Sequence, residues 1–240
     1  MNKELEAFTY VSSHDMQEPL RKIQTFASLI LEKENANLSE KGKDFFRLMQ
    51  ESAERMRQLI HDLLAFSRIS ADERIFVNTE LQGIVDDVKI EFKEKISAKH
   101  AIIELKASCD VRIIPFQFRQ LMHNLIGNAL KFSSPERSPR ITITCENFIF
   151  SEADRLKMSL RDAYVHICVE DNGIGFDKEF NNRIFEVFQK LHGKEEYEGT
   201  GIGLAIVKKI VDNHEGLITA SGEVNRGAKF DIYIPAIPLN

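Results

Sequence analysis

With 240 residues, 43% of them hydrophobic and 29% charged, the chain reads as a globular protein of one or two domains. A formal net charge of -5 offers no basic surface for nucleic acid, no apolar run reaches the roughly 18 residues that span a bilayer, and no signal peptide opens the sequence. The three cysteines, Cys109, Cys145 and Cys168, lie far apart without metal-type pairing. Cys145 and Cys168 fall in strand-like runs and read as reduced core residues of a cytoplasmic protein.

A helical period is in force from the start and continues over residues 3–35, which suggests a piece of something longer. His14 lies in this helix, followed by Asp15 and, one turn later, Pro19. A neutral imidazole is a good nucleophile near pH 7. An adjacent carboxylate can hold or deprotonate one ring nitrogen and leave the other free to attack. Pro19 lacks a backbone donor and loosens the turn. Taken alone, the same residues also describe an ordinary surface histidine beside a kink.

After a polar break, Ser39 is a plausible N-cap for a second helix. Its seam of Phe46, Met49, Ala53, Met56, Ile60 and Leu63 steps by three and four residues, the spacing of a helical bundle. Two helices with this much apolar surface cannot cover it as one hairpin. A four-helix bundle made from two chains is expected, hence a homodimer through residues 1–72.

The period changes near residue 75. Short strands are expected at 75–77, 102–105 and 111–114, with a turn joining the last two. Helices are expected at 80–98, 116–132 and 200–214, and longer strands at 140–147, 164–170, 217–221 and 228–234. Residues 148–163 read as a loop or hairpin end, and 177–199 as polar and irregular. Residues 73–240 therefore form an α+β domain, a mixed sheet with helices on one face.

Three features of this domain point to one chemistry. Asn124, Asn128 and Lys131 share a face of the helix 116–132, and two amides with an ammonium suit a Mg²⁺-bound triphosphate. Asp171, at a strand end before Gly173-Ile174-Gly175, can accept a hydrogen bond from an exocyclic amine such as that of adenine. Gly199-Thr200-Gly201-Ile202-Gly203-Leu204 is a glycine-rich run opening a helix, which presents N–H groups to an anion. Its context fits neither a dinucleotide fingerprint nor a P-loop. The polar stretch before it could close over a nucleotide.

In order and spacing these stretches resemble the sensor histidine kinases of two-component signalling. The phosphoacceptor box resembles Ser13-His14-Asp15-Met16-Gln17-Glu18-Pro19-Leu20, and the N box Asn124 to Phe132. The first glycine box resembles Asp171 to Phe176, the phenylalanine box Ile184-Phe185-Glu186-Val187-Phe188, and the second glycine box Gly199 to Leu204. The wording is most similar to the branch that follows phytochrome-type or PAS sensor domains.

The resemblance implies a dimeric helical hairpin followed by a Bergerat-type ATP-binding sandwich. It implies His14 as the phosphorylated residue and Asp15 as its acid–base partner. Asn128 would ligate Mg²⁺ with Asn124 close by, Lys131 would meet the phosphates, and Phe132 would line the base pocket. Asp171, with Gly173, Ile174 and Gly175, would hold adenine. Lys190 and Leu191 fall where the family places a cation and its neighbour near the terminal phosphate, and Thr200, Gly201, Ile202, Gly203 and Leu204 would pack the lid and phosphates. ATP, Mg²⁺, a response-regulator receiver domain and an upstream sensor domain outside this chain are the implied partners.

Two positions depart from the family. Glu18 stands where many members have Thr or Asn linked to dephosphorylating the partner. Ala228-Lys229 stands where a hydroxyl residue often opens the last strand. Rival readings are a water-using ATPase on the same fold, which needs a Glu where this chain has Asn124, and a dimeric signalling scaffold with a degenerate nucleotide domain.

Overall fold

The structure, a computed structural model, describes residues 2–69, 75–150, 163–189 and 199–236, with the side chains of 2–15, 67 and 68 excepted. It divides into two compact units, Met1–Asp72 together with Glu198–Ile202, and Glu73–Tyr197 together with Gly203–Asn240.

The first unit contains a hairpin of two long helices, α1 (Asn2–Lys33) and α2 (Glu40–Arg68). Ser39 caps α2 as expected, its hydroxyl accepting from the Gly42 N–H at 3.1 Å. Leu20, Ala27 and Ala53 are buried between the helices. Polar bonds cross the hairpin from Gln24 to Glu54 (2.8 Å) and from Gln50 to Ser28 (2.7 Å). One hairpin nevertheless leaves much of its seam in solvent: Phe26 is 61% exposed, Phe45 and Leu48 56% each, and Met49 49%.

In the second unit, a five-stranded sheet has the order β2-β4-β5-β7-β6, formed by β2 (Ile102–Ala107), β4 (Arg140–Phe148), β5 (Tyr164–Asp171), β7 (Gly227–Pro235) and β6 (Leu217–Glu223). Only the β2–β4 pair is parallel; the rest are antiparallel. The sheet is therefore mixed, as expected. Alternate residues of the central strands, including Ile141, Ile143, Val165, Ile167, Val169, Phe230, Ile232 and Ile234, are buried. They provide the period-2 core face of the sheet.

The two short strands 102–105 and 111–114 do not pair as a hairpin. β3 (Asp110–Ile113) instead pairs antiparallel with β1 (Val77–Glu80), in a separate two-stranded ribbon with Val77 opposite Ile113. The helix expected over 80–98 is two helices, α3 (Leu81–Glu91) and α4 (Lys93–Lys99), broken at Phe92. The buried Phe92 ring stacks on His123 at 4.6 Å. α5 (Pro115–Lys131) packs against both α3 and α6 (Gly203–Asn213).

Cys145 differs from its reduced-core expectation. It is joined to Cys109 in a disulfide with a Cα–Cα distance of 5.6 Å, within the usual disulfide span. The pairing follows from the parallel register, which sets Ala107 beside Thr144 and brings the turn after β2 alongside β4. Cys168 is free and buried.

Candidate functional site

α5 is the rod on which the site is built. Pro115 opens it, with φ pre-set and no N–H to leave unpaired. Phe118, Leu121, Met122, Leu125, Ile126 and Ala129 bury one face, and Asn124, Asn128 and Lys131 lie half-buried off it. Both ends of the rod are anchored. At the start, the Ile114 N–H donates to His214 Nε2 (3.0 Å), while Nδ1 of that ring lies 2.7 Å from the Ile210 carbonyl. Because Nε2 must accept, the proton of the ring sits on Nδ1 and is donated to Ile210. Phe76 and Phe118 pack edge-on against the same imidazole. At the far end, the Phe132 carbonyl accepts from the Ile174 N–H (2.9 Å), tying the helix to the glycine turn after β5.

The polar face differs residue by residue. Asn124 Nδ2 donates back to the Gln120 carbonyl at 2.8 Å. Its Oδ1 is directed at α6, since a Cβ built on Gly203 would lie 2.8 Å from it. Glycine at 203 thus permits the close approach of α6 to this amide. Among the described residues, the Asn128 amide has no hydrogen-bond partner. Lys131 Nζ stands over the Phe132 ring, 4.4 Å from its centroid.

Asp171 closes β5 next to this face. Its Oδ1 accepts from the Gly173 N–H (2.8 Å) and the Ala228 N–H (3.3 Å). Burial pushes the carboxyl pKa up, and the two N–H donors pull it part of the way back. The β6–β7 turn fits around the Asp171 backbone. Gly227 has φ +118°, and a Cβ there would lie 1.9 Å from the Asp171 carbonyl oxygen. Gly175 meets the Glu223 carbonyl in the same way.

Asn124, Asn128, Lys131 and Phe132 thus come from the second half of α5 and its C-cap, Asp171, Gly173, Ile174 and Gly175 from the end of β5 and the turn after it, and Gly203 and Leu204 from the start of α6. Thr200 and Ile202 are buried, with the Ile202 N–H reaching the Thr200 hydroxyl at 3.4 Å, and Gly201 has φ +76°. His14 and Asp15 lie on α1, their side chains outside the described residues, as are Lys190 and Leu191 altogether. At the position lacking a hydroxyl, the Ala228 N–H reaches Asp171 and Lys229 pairs with Asp231 at 3.0 Å.

The profile of the histidine kinase-, DNA gyrase B- and HSP90-like ATPases matches residues 114–238, which cover this site. The chain belongs to that family. A second profile, the His kinase A phospho-acceptor domain, matches residues 4–72. The chain is 36% identical over 234 residues to the phytochrome-like protein Cph1 of Synechocystis sp., covering 98% of this chain and 29% of that protein. It is equally similar to cyanobacterial phytochrome A of Nostoc sp., with the same shares covered. The circadian input-output histidine kinase CikA of Synechococcus elongatus is 26% identical over 238 residues, 95% of this chain and 29% of that protein. The chain thus spans under a third of the length of these relatives. Among solved structures, full-length ShkA in complex with AMPPNP matches with a TM-score of 0.67 at 23% identity, over 97% of this chain and 46% of that one. AdeS of Acinetobacter baumannii matches at 0.59 and 20% identity, over 91% and 97%. These likenesses show the fold: a helical hairpin followed by an α+β sandwich. The two profiles are thus a phospho-acceptor domain followed by a histidine kinase-like ATPase domain, and over 98% of its length the chain is similar to cyanobacterial phytochromes.

Two further residues bear on the site, neither of them carrying a chemical motif in the sequence. One is His214, which anchors the root of α5. The other is Arg137, whose guanidinium donates to three backbone carbonyls, those of Asn172 (2.7 Å), Gly173 (2.8 Å) and Asn225 (2.5 Å). A buried imidazole at a helix end offers a weak signal, through its place between Asn213 and Gly216. Arg137, in a Ser- and Pro-rich loop, offers none, because carbonyl acceptors leave no side-chain trace.

Proposed function

We propose that the chain moves the terminal phosphoryl group of ATP onto His14 and from there to an aspartate of a response-regulator receiver domain. One observation carries this reading: a half-buried face of two amides and an ammonium stands beside a carboxylate fixed by two N–H groups. The first set suits a triphosphate and the second an adenine amine. Residues 1–72 are then the dimerisation and phosphotransfer hairpin, and residues 73–240 the catalytic ATP-binding domain.

In the first step a ring nitrogen of His14 forms a bond to the terminal phosphorus, and the bond from that phosphorus to the bridging oxygen breaks. ADP leaves with the electron pair, and the proton of the other ring nitrogen is held or taken by Asp15. In the second step a receiver carboxylate oxygen attacks the same phosphorus, the N–P bond breaks with its electron pair returning to the ring, and any proton taken by Asp15 goes back to the other ring nitrogen, which restores the neutral imidazole. Such transfers demand positioning and charge neutralisation more than covalent machinery. Lys131 pairs with phosphate oxygen and Asp171 orients the base; the role proposed for Lys190, a cation for the terminal phosphate, rests on the family resemblance alone.

Mg²⁺ fits the donor set. It prefers hard oxygen and takes one or two protein ligands besides substrate phosphates, and Asn128 offers an amide oxygen that no described residue engages. When bound, the ion supplies neutralisation of phosphate charge. Asn124 cannot take a proton from water, which favours histidine over water as the acceptor. The AMPPNP carried by ShkA is consistent with an ATP site in this fold. The exposed hairpin seam supports a homodimer, and cytoplasmic ATP, an upstream sensor domain and a receiver domain complete the setting.

The test is incubation with Mg-ATP followed by mass spectrometry. One phosphate on His14, stable in alkali and labile in acid, is expected. His14→Gln should abolish incorporation while leaving nucleotide affinity unchanged; label retained in that variant refutes His14 as the acceptor.

A further inference from the structure

Two loops meet at Asp171. The turn after β5 sends in the Gly173 N–H, and the start of β7, just past the β6–β7 turn, sends in the Ala228 N–H. A carboxylate held by donors from separate loops stays in place only if the loops stay together. On the other side of that junction, Arg137 ties the same two loops. Its Nε donates to Asn172 of the first turn, and one Nη donates both to Gly173 of that turn and to Asn225 of the second. A guanidinium suits three divergent carbonyls because it carries five donors in a rigid plane and never loses its charge. A backbone bond from the Asn225 N–H to the Ile174 carbonyl (2.7 Å) completes the junction.

We propose that Arg137 is a positioning residue for base recognition: it locks the two loops so that Asp171 is presented to the nucleotide base in one fixed place. The inference rests on the reading of Asp171 as the adenine contact. Arg137 does not touch the nucleotide; it acts through the two turns. Its charge adds to the effect by favouring the ionised form of Asp171, the form that accepts from an amine without offering a competing proton. The consequence is selectivity. Guanine presents a carbonyl where adenine presents its amine, and a carboxylate fixed at that spot repels it. A carboxylate free to swing aside rejects guanine less.

The test uses the full chain, with ATP and GTP as probes in both binding and autophosphorylation. Arg137→Ala should raise KM and Kd for ATP about tenfold, the size of one or two charge-assisted hydrogen bonds. kcat at saturating ATP should stay within about twofold, and the preference for ATP over GTP should fall. Arg137→Lys, which keeps the charge but not the fork, should recover only part of the loss, and added methylguanidinium should restore ATP affinity in the alanine variant. Unchanged KM and unchanged ATP/GTP preference overturn the proposal. So does a loss of kcat and thermal stability together with no selective effect on the base, which marks Arg137 as merely structural. Asp171→Asn separates the two levels. If it leaves ATP affinity intact, the adenine reading itself fails; if it abolishes affinity while Arg137→Ala is silent, only the present inference fails.

Discussion

Asp171 is a carboxyl that folding pushes toward its protonated form, chiefly by burial. Stability gained from that protonated form is present below the unfolded pKa and is lost as pH rises through the raised folded value. Nucleotide affinity runs the other way, because the ionised carboxylate accepts from adenine. ATP binding should therefore weaken on acidification at a higher pH than an ordinary aspartate with its usual value of 3.8 would give. Titration calorimetry across pH checks this, and Asp171→Asn should bind weakly and with a flattened profile. Asn128→Ala should remove Mg²⁺-dependent ATP binding; affinity unchanged in the presence of Mg²⁺ would place the metal elsewhere. Cys168 is pushed up to about 11 by burial and by Asp231, so it stays a thiol at neutral pH. It should resist iodoacetamide in the native protein and react only after denaturation. At this scale the sequence is informative where a side chain has a chemical task, as with Asn124, Asn128 and Asp171. It is silent where a side chain serves the backbone, as with Arg137.

Helix α5 is legible in advance because its polar stripe recurs at i, i+4 and i+7 against an apolar face, a period that no strand can satisfy. The break at Phe92 is not, since the apolar period runs on through it. Strands β2 and β3 look like a hairpin because a turn joins two short apolar runs. Their true partners are distant, β4 for one and β1 for the other, and local pattern carries no information about them. Elements also differ in how they tolerate change. At Gly203 a methyl group would meet only the end of the Asn124 side chain, which can rotate away. Gly203→Ala should therefore leave thermal stability nearly intact while weakening ATP binding. At Gly227 the obstacle is the Asp171 backbone and φ is +118°, so Gly227→Ala should cost about 2–4 kcal/mol in denaturant unfolding.

On the scale of the whole molecule, the proposed dimer rests on the hairpin seam. Phe45, Leu48, Met49 and Met56 are each about half exposed in one chain, a contiguous apolar stripe of the kind that marks an interface. Replacing Met49 by Lys and Phe45 by Asp should convert a dimer to a monomer in light scattering, with the secondary structure retained. The four-helix expectation comes from heptad spacing, because a hairpin with apolar residues on more than one face leaves part of them for a partner to cover. The sheet carries a different consequence. Among the described residues β7 is the last strand in sequence, yet it sits between β5 and β6. Trimming a polypeptide from its carboxyl side usually removes something peripheral; here a premature stop at Gly227 would pull out an interior slat and leave two unpaired edges facing each other across the gap. Until the ribosome has delivered those residues, the sheet of the second unit cannot close, and a nascent chain stalled there should be the species that proteases and chaperones seize.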